Sequence, residues 1–280
     1  MTRGRVASFT GAALVAFAAN SLLTRGALAA GRLDPATFLL VRVSAGAAVL
    51  GALAFRRTAP AHDPANHWTS TLALIGYAVA FTFAYVRIGA GIGALALFGG
   101  VQTTMIAAGL VAGERPGRRD LAGLIIAVAG LLTLTVPGAT RPSLVGVFLM
   151  AIAGVCWGLY SLRGRRSRDP LTGTAHNFMR AVPVAIAIAA WQWPSHHVTA
   201  LGLVLAGISG AITSGLGYAI WYSVLPQLTA WRAAIVQLLT PVLTAAAAVV
   251  MLGEAVSLRV VLAGGLIIAG VMLSIAAPRR

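Results

Sequence analysis

Two arginines, Arg42 and Arg180, stand inside long apolar runs, and no other side chains in this chain offer as much chemistry. Each lies about two turns or slightly more into its run. A guanidinium keeps its charge and forks toward carboxylate or phosphate. At membrane depth such a charge is costly unless it faces water or a partner, so it reads as functional by default. Arg42 and Arg180 are therefore read as charges that flank a central site and attract carboxylate. The plainer reading is an arginine that snorkels, or that bonds helix-end carbonyls. Arg25 and Arg163 lie nearer run ends, where snorkelling is expected.

The six acidic residues, Asp34, Asp63, Glu114, Asp120, Asp169 and Glu254, all fall in loops or at run ends. Asp34 and Asp169 are possible partners for arginines. Glu114 and Glu254 read as polar turns with a helix start, or else as anchors that exchange partners. No carboxylate sits at mid-run, where it could hold a cation or trade it for protons. Net-neutral zwitterions such as amino acids fit this pattern better than cations do. The single cysteine, Cys156, forms no intrachain disulfide and suggests no metal cluster. There is no phosphate-binding loop and no nucleophile motif, so neither ATP drive nor catalysis is expected. The reading is a non-enzyme without cofactor or metal.

Small polar groups lie near the middle of several runs: Asn20, Gln102, Thr103, Ser214, Gln237 and Thr240. Each could bind substrate or bond a neighbouring helix. Pro241 follows Thr240 and removes a backbone donor, which predicts a kink and a freed carbonyl. Aromatics recur at helical spacing: Tyr77, Phe81 and Tyr85; Trp157 and Tyr160; Tyr218, Trp221 and Tyr222. Each set falls on one helix face, either lining a cavity for flat substrates or packing a core.

These residues are carried on long apolar elements. The chain is 59% hydrophobic and 10% charged, with a mean hydropathy of +0.88. A bilayer core needs about 20 apolar residues per helix. Ten spans are predicted: Gly11–Ala30, Pro35–Phe55, Trp68–Val86, Ile92–Ala112, Leu121–Pro137, Leu144–Leu162, Leu171–Trp191, Ala200–Leu225, Trp231–Leu252 and Leu258–Ala276. The runs lack the alternation of a membrane barrel. Landmarks recur in order: Arg25 as Arg163, Asp34-Pro35 as Asp169-Pro170, Arg42 as Arg180, Gly113-Glu114 as Gly253-Glu254. The fold expected is an all-α polytopic membrane protein. Residues 1–137 and 142–280 form two five-helix repeats around a central cavity, and the odd span count inverts the second.

The net charge of +15 is carried without a single Lys. On the reading that the amino terminus is cytoplasmic, 14 Arg lie on that side and 4 (Arg32, Arg87, Arg141 and Arg259) on the other, with Arg25, Arg42 and Arg180 completing the 21. That asymmetry follows the positive-inside rule. It predicts a bacterial-type inner membrane, both termini cytoplasmic, and attraction to anionic lipid rather than nucleic acid. The opening stretch, with Arg3, Arg5 and Ala27-Leu28-Ala29, imitates a signal peptide but is read as the first span.

In Ala112-Gly113-Glu114-Arg115-Pro116, Leu252-Gly253-Glu254, Thr240-Pro241, Gly217-Tyr218 and the Gly-rich fifth and tenth spans, the chain resembles the drug/metabolite transporter superfamily, EamA type. Within it the pattern is nearest to aromatic-amino-acid exporters of the YddG type, from which the Gly-Glu-Arg-Pro turn departs. The resemblance implies a secondary transporter exporting small neutral metabolites, most of all large apolar or aromatic amino acids, by alternating access. Other metabolites or drugs, or flipping of a lipid-linked substrate, are the alternatives. The substrate-binding set is Asn20, Arg42, Tyr77, Phe81, Gln102, Trp157, Tyr160, Arg180, Ser214, Tyr218, Trp221, Gln237 and Thr240. A small molecule and membrane lipid are the partners, with no obligate protein partner.

Overall fold

Helix starts in this chain are written by short polar residues placed just ahead of apolar runs. In the computed structural model, which describes residues 1–55, 57, 63, 67–88, 90–135, 143–192, 197–252 and 257–276, those runs become α1 (Arg3–Leu28), α2 (Pro35–Ala54), α3 (Trp68–Tyr85), α4 (Ala90–Val111), α5 (Arg118–Thr135), α6 (Leu144–Gly164) and α7 (Pro170–Trp191). They continue as α8 (Ala200–Ile208), a π-helical stretch (Ser209–Leu216), α9 (Gly217–Val224), α10 (Ala230–Gln237), α11 (Leu239–Leu252) and α12 (Leu258–Ile275). α8, the π stretch and α9 form one rod, and α10 and α11 another, so ten rods stand where ten spans are predicted. Eight of them are long and apolar enough to cross a membrane by length and composition. The other two are α5, which opens on Arg118-Arg119-Asp120, and α7, which carries His176 and Arg180.

The first backbone N–H groups of a helix have no internal partner. Asp34 Oδ1 accepts from Thr37 N at 2.9 Å, and Asp169 Oδ1 from Thr172 N at 3.3 Å. A proline follows each at the first helical position, where its missing N–H is no loss. The recurring Asp-Pro pairs are thus caps. Asp169 also lies 3.8 Å from Arg57 Nη1, whereas no contact joins Asp34 to Arg42. Thr229 caps α10 and Ser257 caps α12 in the same way.

Pro241 has no N–H to give the carbonyl four residues back, which is that of Gln237. The helix breaks there, α10 ending at Gln237 and α11 beginning at Leu239. The predicted kink falls just before the proline. The π stretch in the eighth rod was not foreseen.

α5 packs along α12, α2 along α7, α4 and α3 along α6, and α1 along α9 and α11. Glycine permits the closest of these crossings. A Cβ on Gly123 would meet Gly270 O at 2.5 Å, and one on Gly130 would meet Ala263 O at 2.8 Å. The core cluster runs through α2, α3, α6, α7, α9 and α10.

Candidate functional site

A narrow cavity opens at the middle of the bundle, lined by Phe17, Asn20 and Ser21 of α1, Tyr77 and Phe81 of α3, Leu97, Phe98 and Val101 of α4, Trp157 of α6, Tyr218 of α9, and Gln237 and Thr240 of the ninth rod. Its volume is about 40 Å³, room for about three or four waters at about 10–15 Å³ each. The walls are mostly rings. Trp157 lies 4.7 Å from Tyr218 and 5.0 Å from Tyr77 between ring centroids. Phe17 stands edge-on to Trp157 at 5.2 Å. Trp157 is held in place because its Nε1–H donates to Gln237 Oε1 at 2.6 Å, while Gln237 Nε2 donates to Ala233 O. Gln237 therefore sets a ring orientation, and its own polar groups are occupied.

Arg42 lies one layer behind this wall. It is 2% exposed. Its Nε donates to Ser214 Oγ at 2.9 Å and its Nη2 to Tyr218 Oη at 2.7 Å. The guanidinium carbon sits 5.6 Å from the Tyr77 ring centroid and 5.5 Å from that of Phe81. Nη1 is buried and has no hydrogen bond among the described residues. Among the described residues no carboxylate comes near either. Asp34 and Asp169 cap helices. Asp63 accepts from Ser167 Oγ and the Arg168 and Asp169 amides. Asp120 accepts from Gly117 N and Ser274 Oγ. Glu114 is taken up at the end of α4, as described below, and Glu254 lies outside the described residues.

Asn20 is held at the opposite side of the same π stretch. Its Oδ1 accepts from Ser209 Oγ at 2.7 Å and from Thr213 Oγ1 at 3.2 Å. Thr240 Oγ1 faces the same cavity, buried and without a hydrogen-bond partner among the described residues.

Of the residues named from the sequence, Asn20, Tyr77, Phe81, Trp157, Tyr218, Gln237 and Thr240 line the cavity. Arg42 and Ser214 stand directly behind it. Gln102 is an interhelical tie, donating to Ala234 O at 2.8 Å. Tyr160 and Trp221 pack between α6 and α9; Tyr222 Oη donates to Tyr160 O, and Trp221 Nε1 to Ser161 Oγ. Arg180 lies elsewhere, 5.3 Å from the ring of Trp68 at the start of α3. Phe17, Ser21 and Phe98 line the cavity without having been named. Phe17 sits at i−3 from Asn20, and Ser21 at i+4 from Phe17, so the helical period could have found them in turn.

A second constellation ties α4, α6 and α10 together at one face. Glu114 Oε1 accepts from Arg165 Nη1 at 3.0 Å and Ala230 N at 2.9 Å, and Oε2 accepts from Trp231 N at 3.2 Å. A glutamate at the end of one helix thus caps the start of another.

Ten helical rods around a ring-lined cavity, with a buried cation one layer behind its wall, describe a polytopic membrane protein. The chain belongs to the EamA-like transporter family, whose model matches residues 6–136 and again 144–276. It is 45% identical over 267 residues to an uncharacterized protein of Pseudomonas aeruginosa, covering 95% of this chain and 93% of that one. It is similar at 26% identity to the Probable amino-acid metabolite efflux pump of Salmonella typhimurium, over 72% of this chain and 76% of that one. At 30% identity it matches the Threonine/homoserine exporter RhtA of Escherichia coli, over 64% of this chain and 61% of that one. One crystal structure aligns over 100% of both chains with a TM-score of 0.81 at 18% identity, a likeness of fold alone.

Proposed function

We propose that this protein exports amino acids, large apolar or aromatic ones above all, by alternating access and without proton coupling. The observation that carries this reading is Arg42, a buried cation with no carboxylate partner among the described residues, set behind the rings of the cavity wall. A buried charge left uncompensated is costly. A cargo carboxylate compensates it, drawn through a medium that screens little. The cargo's ammonium meets the faces of Trp157 and Tyr77 and the unpartnered Thr240 hydroxyl. Its side chain rests on Phe17, Phe81 and Phe98. The relatives named as amino-acid metabolite pump and threonine/homoserine exporter agree with this class of cargo.

Two features support inverted repeats. One family model fits both halves of the chain. Exchanging the first five rods for the last five also carries the packing list into itself: five against ten and two against seven are unchanged, while four and three against six become nine and eight against one. The cavity as it stands is narrow, and on this reading the rods part to admit an amino acid. At the face of the termini, the Glu114 clasp on α10 is the contact that breaks. The arginine asymmetry puts that face in the cytoplasm. A periplasm-active reporter fused at Arg280 gives no signal, and one inserted near Pro194 does; the reverse would overturn the orientation.

The deciding experiment is uptake of labelled phenylalanine, leucine and threonine into proteoliposomes holding only this protein. Flux is expected down each gradient, changed less than about twofold by an imposed pH gradient, since the described carboxylates are all engaged at helix ends. Strict dependence on that gradient, or transport of quaternary cations but of no amino acid, overturns the reading.

A further inference from the structure

We infer that the π-helical stretch Ser209–Leu216 makes one end of the cavity donor-only, and that Ser209 and Thr213 thereby act as specificity-determining residues for a free carboxylate. This deepens the reading above and rests on it. An asparagine amide ordinarily offers an acceptor oxygen and two N–H donors, and can turn over to present either. Here one orientation is favoured. Ser209 Oγ donates to Asn20 Oδ1 at 2.7 Å, and Thr213 Oγ1, whose single proton is shared with Ser209 O at 2.9 Å, stands 3.2 Å from the same oxygen. Asn20 is 3% exposed and lines the cavity, so the group it presents there is N–H2.

The adjoining residue, Ser214, turns to the other side of the stretch and accepts from Arg42 Nε. Arg42 has no acceptor of its own, and its Nη1 has no hydrogen bond among the described residues. The Tyr218 oxygen accepts from Arg42 Nη2, which polarises the phenol toward giving its own proton.

The wide register of the π turn lets neighbouring residues serve two helices: Thr213 faces α1 and Ser214 faces α2. Close approach to α2 is built in, because a Cβ on Gly210 would collide with Arg42 O. π-helical turns of this kind often occur at functional sites. A pole of N–H donors backed by a guanidinium accepts a carboxylate. It rejects a carboxamide, whose N–H2 would face donors, and an ammonium, which would face a cation.

The test uses the full chain in proteoliposomes, with labelled L-phenylalanine efflux competed by unlabelled L-phenylalanine or L-phenylalaninamide. The wild type is expected to favour the acid by about 100-fold or more, the scale set by two hydrogen bonds to a charged group. Asn20→Asp keeps the shape and both hydroxyl bonds but presents an oxygen. It is expected to slow phenylalanine efflux by about tenfold or more and to admit phenylalaninamide as a competitor. Ser209→Ala with Thr213→Val frees the amide to turn, and the acid-over-amide preference is expected to fall by about tenfold while uncompeted efflux persists. Thermal melting of the purified variants checks that each is folded. If the wild type moves no phenylalanine, the export reading fails and this inference falls with it. If it moves phenylalanine but treats acid and amide alike, or if both variants keep the wild-type preference, export stands and the donor pole is wrong.

Discussion

Arg42 and Arg180 are 138 residues apart (180 − 42) and stand seven and ten residues after the first residues of α2 and α7, two helices that pack along one another. The fold treats them differently. Arg42 is buried, bonded to two hydroxyls and covered by two rings. Arg180 is half-buried beside Trp68. α-Helical side chains lean toward the helix N-terminus, which takes Arg180 back toward the start of α7 and the interface. What separates the two is the helix each one faces. Ser214 and Tyr218 hold Arg42, and stepping back 138 residues from them lands on Gly76 and Ala80, which have no hydroxyl. A duplicated sequence can carry one charge twice and give it a polar seat once.

The sharpest way to break that contrast is to remove Arg42. Arg42→Ala is expected to cut amino-acid flux by about 100-fold with folded protein still in the membrane, since a charged hydrogen-bonded contact is worth about 1.5–3 kcal/mol. Arg42→Lys keeps the charge and loses the fork, so it restores flux in part. Normal flux in the Ala variant would make Arg42 structural and equate it with Arg180.

A finer cut leaves the charge and removes its seat. Tyr218→Phe takes away the acceptor for Nη2 and keeps the ring against Trp157. An effect of about tenfold is expected, expressed mainly as weaker binding of carboxylate cargo. Flux at saturating cargo should hold. Should the saturated rate collapse and binding survive, Tyr218 serves the motion and not the pole.

Much of this was legible where the cause is local. The long apolar runs gave ten rods and Pro241 gave a break, because each depends on a few neighbouring residues, whereas Asp34 and Asp169, read as possible partners for arginines, are helix caps. The seven cavity-lining residues named in advance are polar or aromatic groups at mid-span, which few other positions share. What the sequence withheld is tertiary. Nothing in the neighbourhood of Arg42 or Arg180 says which one meets hydroxyls. The π stretch carries no proline; its signs are three hydroxyl residues and several glycines between Ser209 and Gly217, and these also read as ordinary helix contact. Trp221 and Tyr222 share a helix with Tyr218, yet their polar groups bond Ser161 and Tyr160 of α6 and they do not line the cavity, since three or four residues turn a side chain only roughly to the same face.

A third arginine sharpens the comparison because it has the carboxylate that Arg42 lacks. Arg165 pairs with Glu114, whose oxygens also hold the first amides of α10. The pair is partly exposed, at 26% and 19%, which keeps its own worth to about 1 kcal/mol or less. Glu114→Gln keeps the shape and weakens three charge-assisted bonds. The expected result is a change of about fivefold in exchange rate at saturating cargo, with apparent affinity unchanged. A shift in affinity without a change in rate would mean that Glu114 acts on cargo and not on the clasp.

The smallest effect belongs to Arg180. If it snorkels against Trp68, its stabilisation comes from a cation–π contact at a partly exposed ring, worth about 0.5–1 kcal/mol. Arg180→Ala and Trp68→Ala should then each change flux by about twofold or less. They should also lower thermal stability by similar small amounts, and the double variant by less than their sum, since both remove one contact. Flux competition separates this from a cargo role, because a cargo-binding arginine alters the preference between phenylalanine and its amide and a snorkelling one does not. Loss of that preference in Arg180→Ala would return Arg180 to the cargo path and give the molecule two carboxylate-attracting charges, one in each copy.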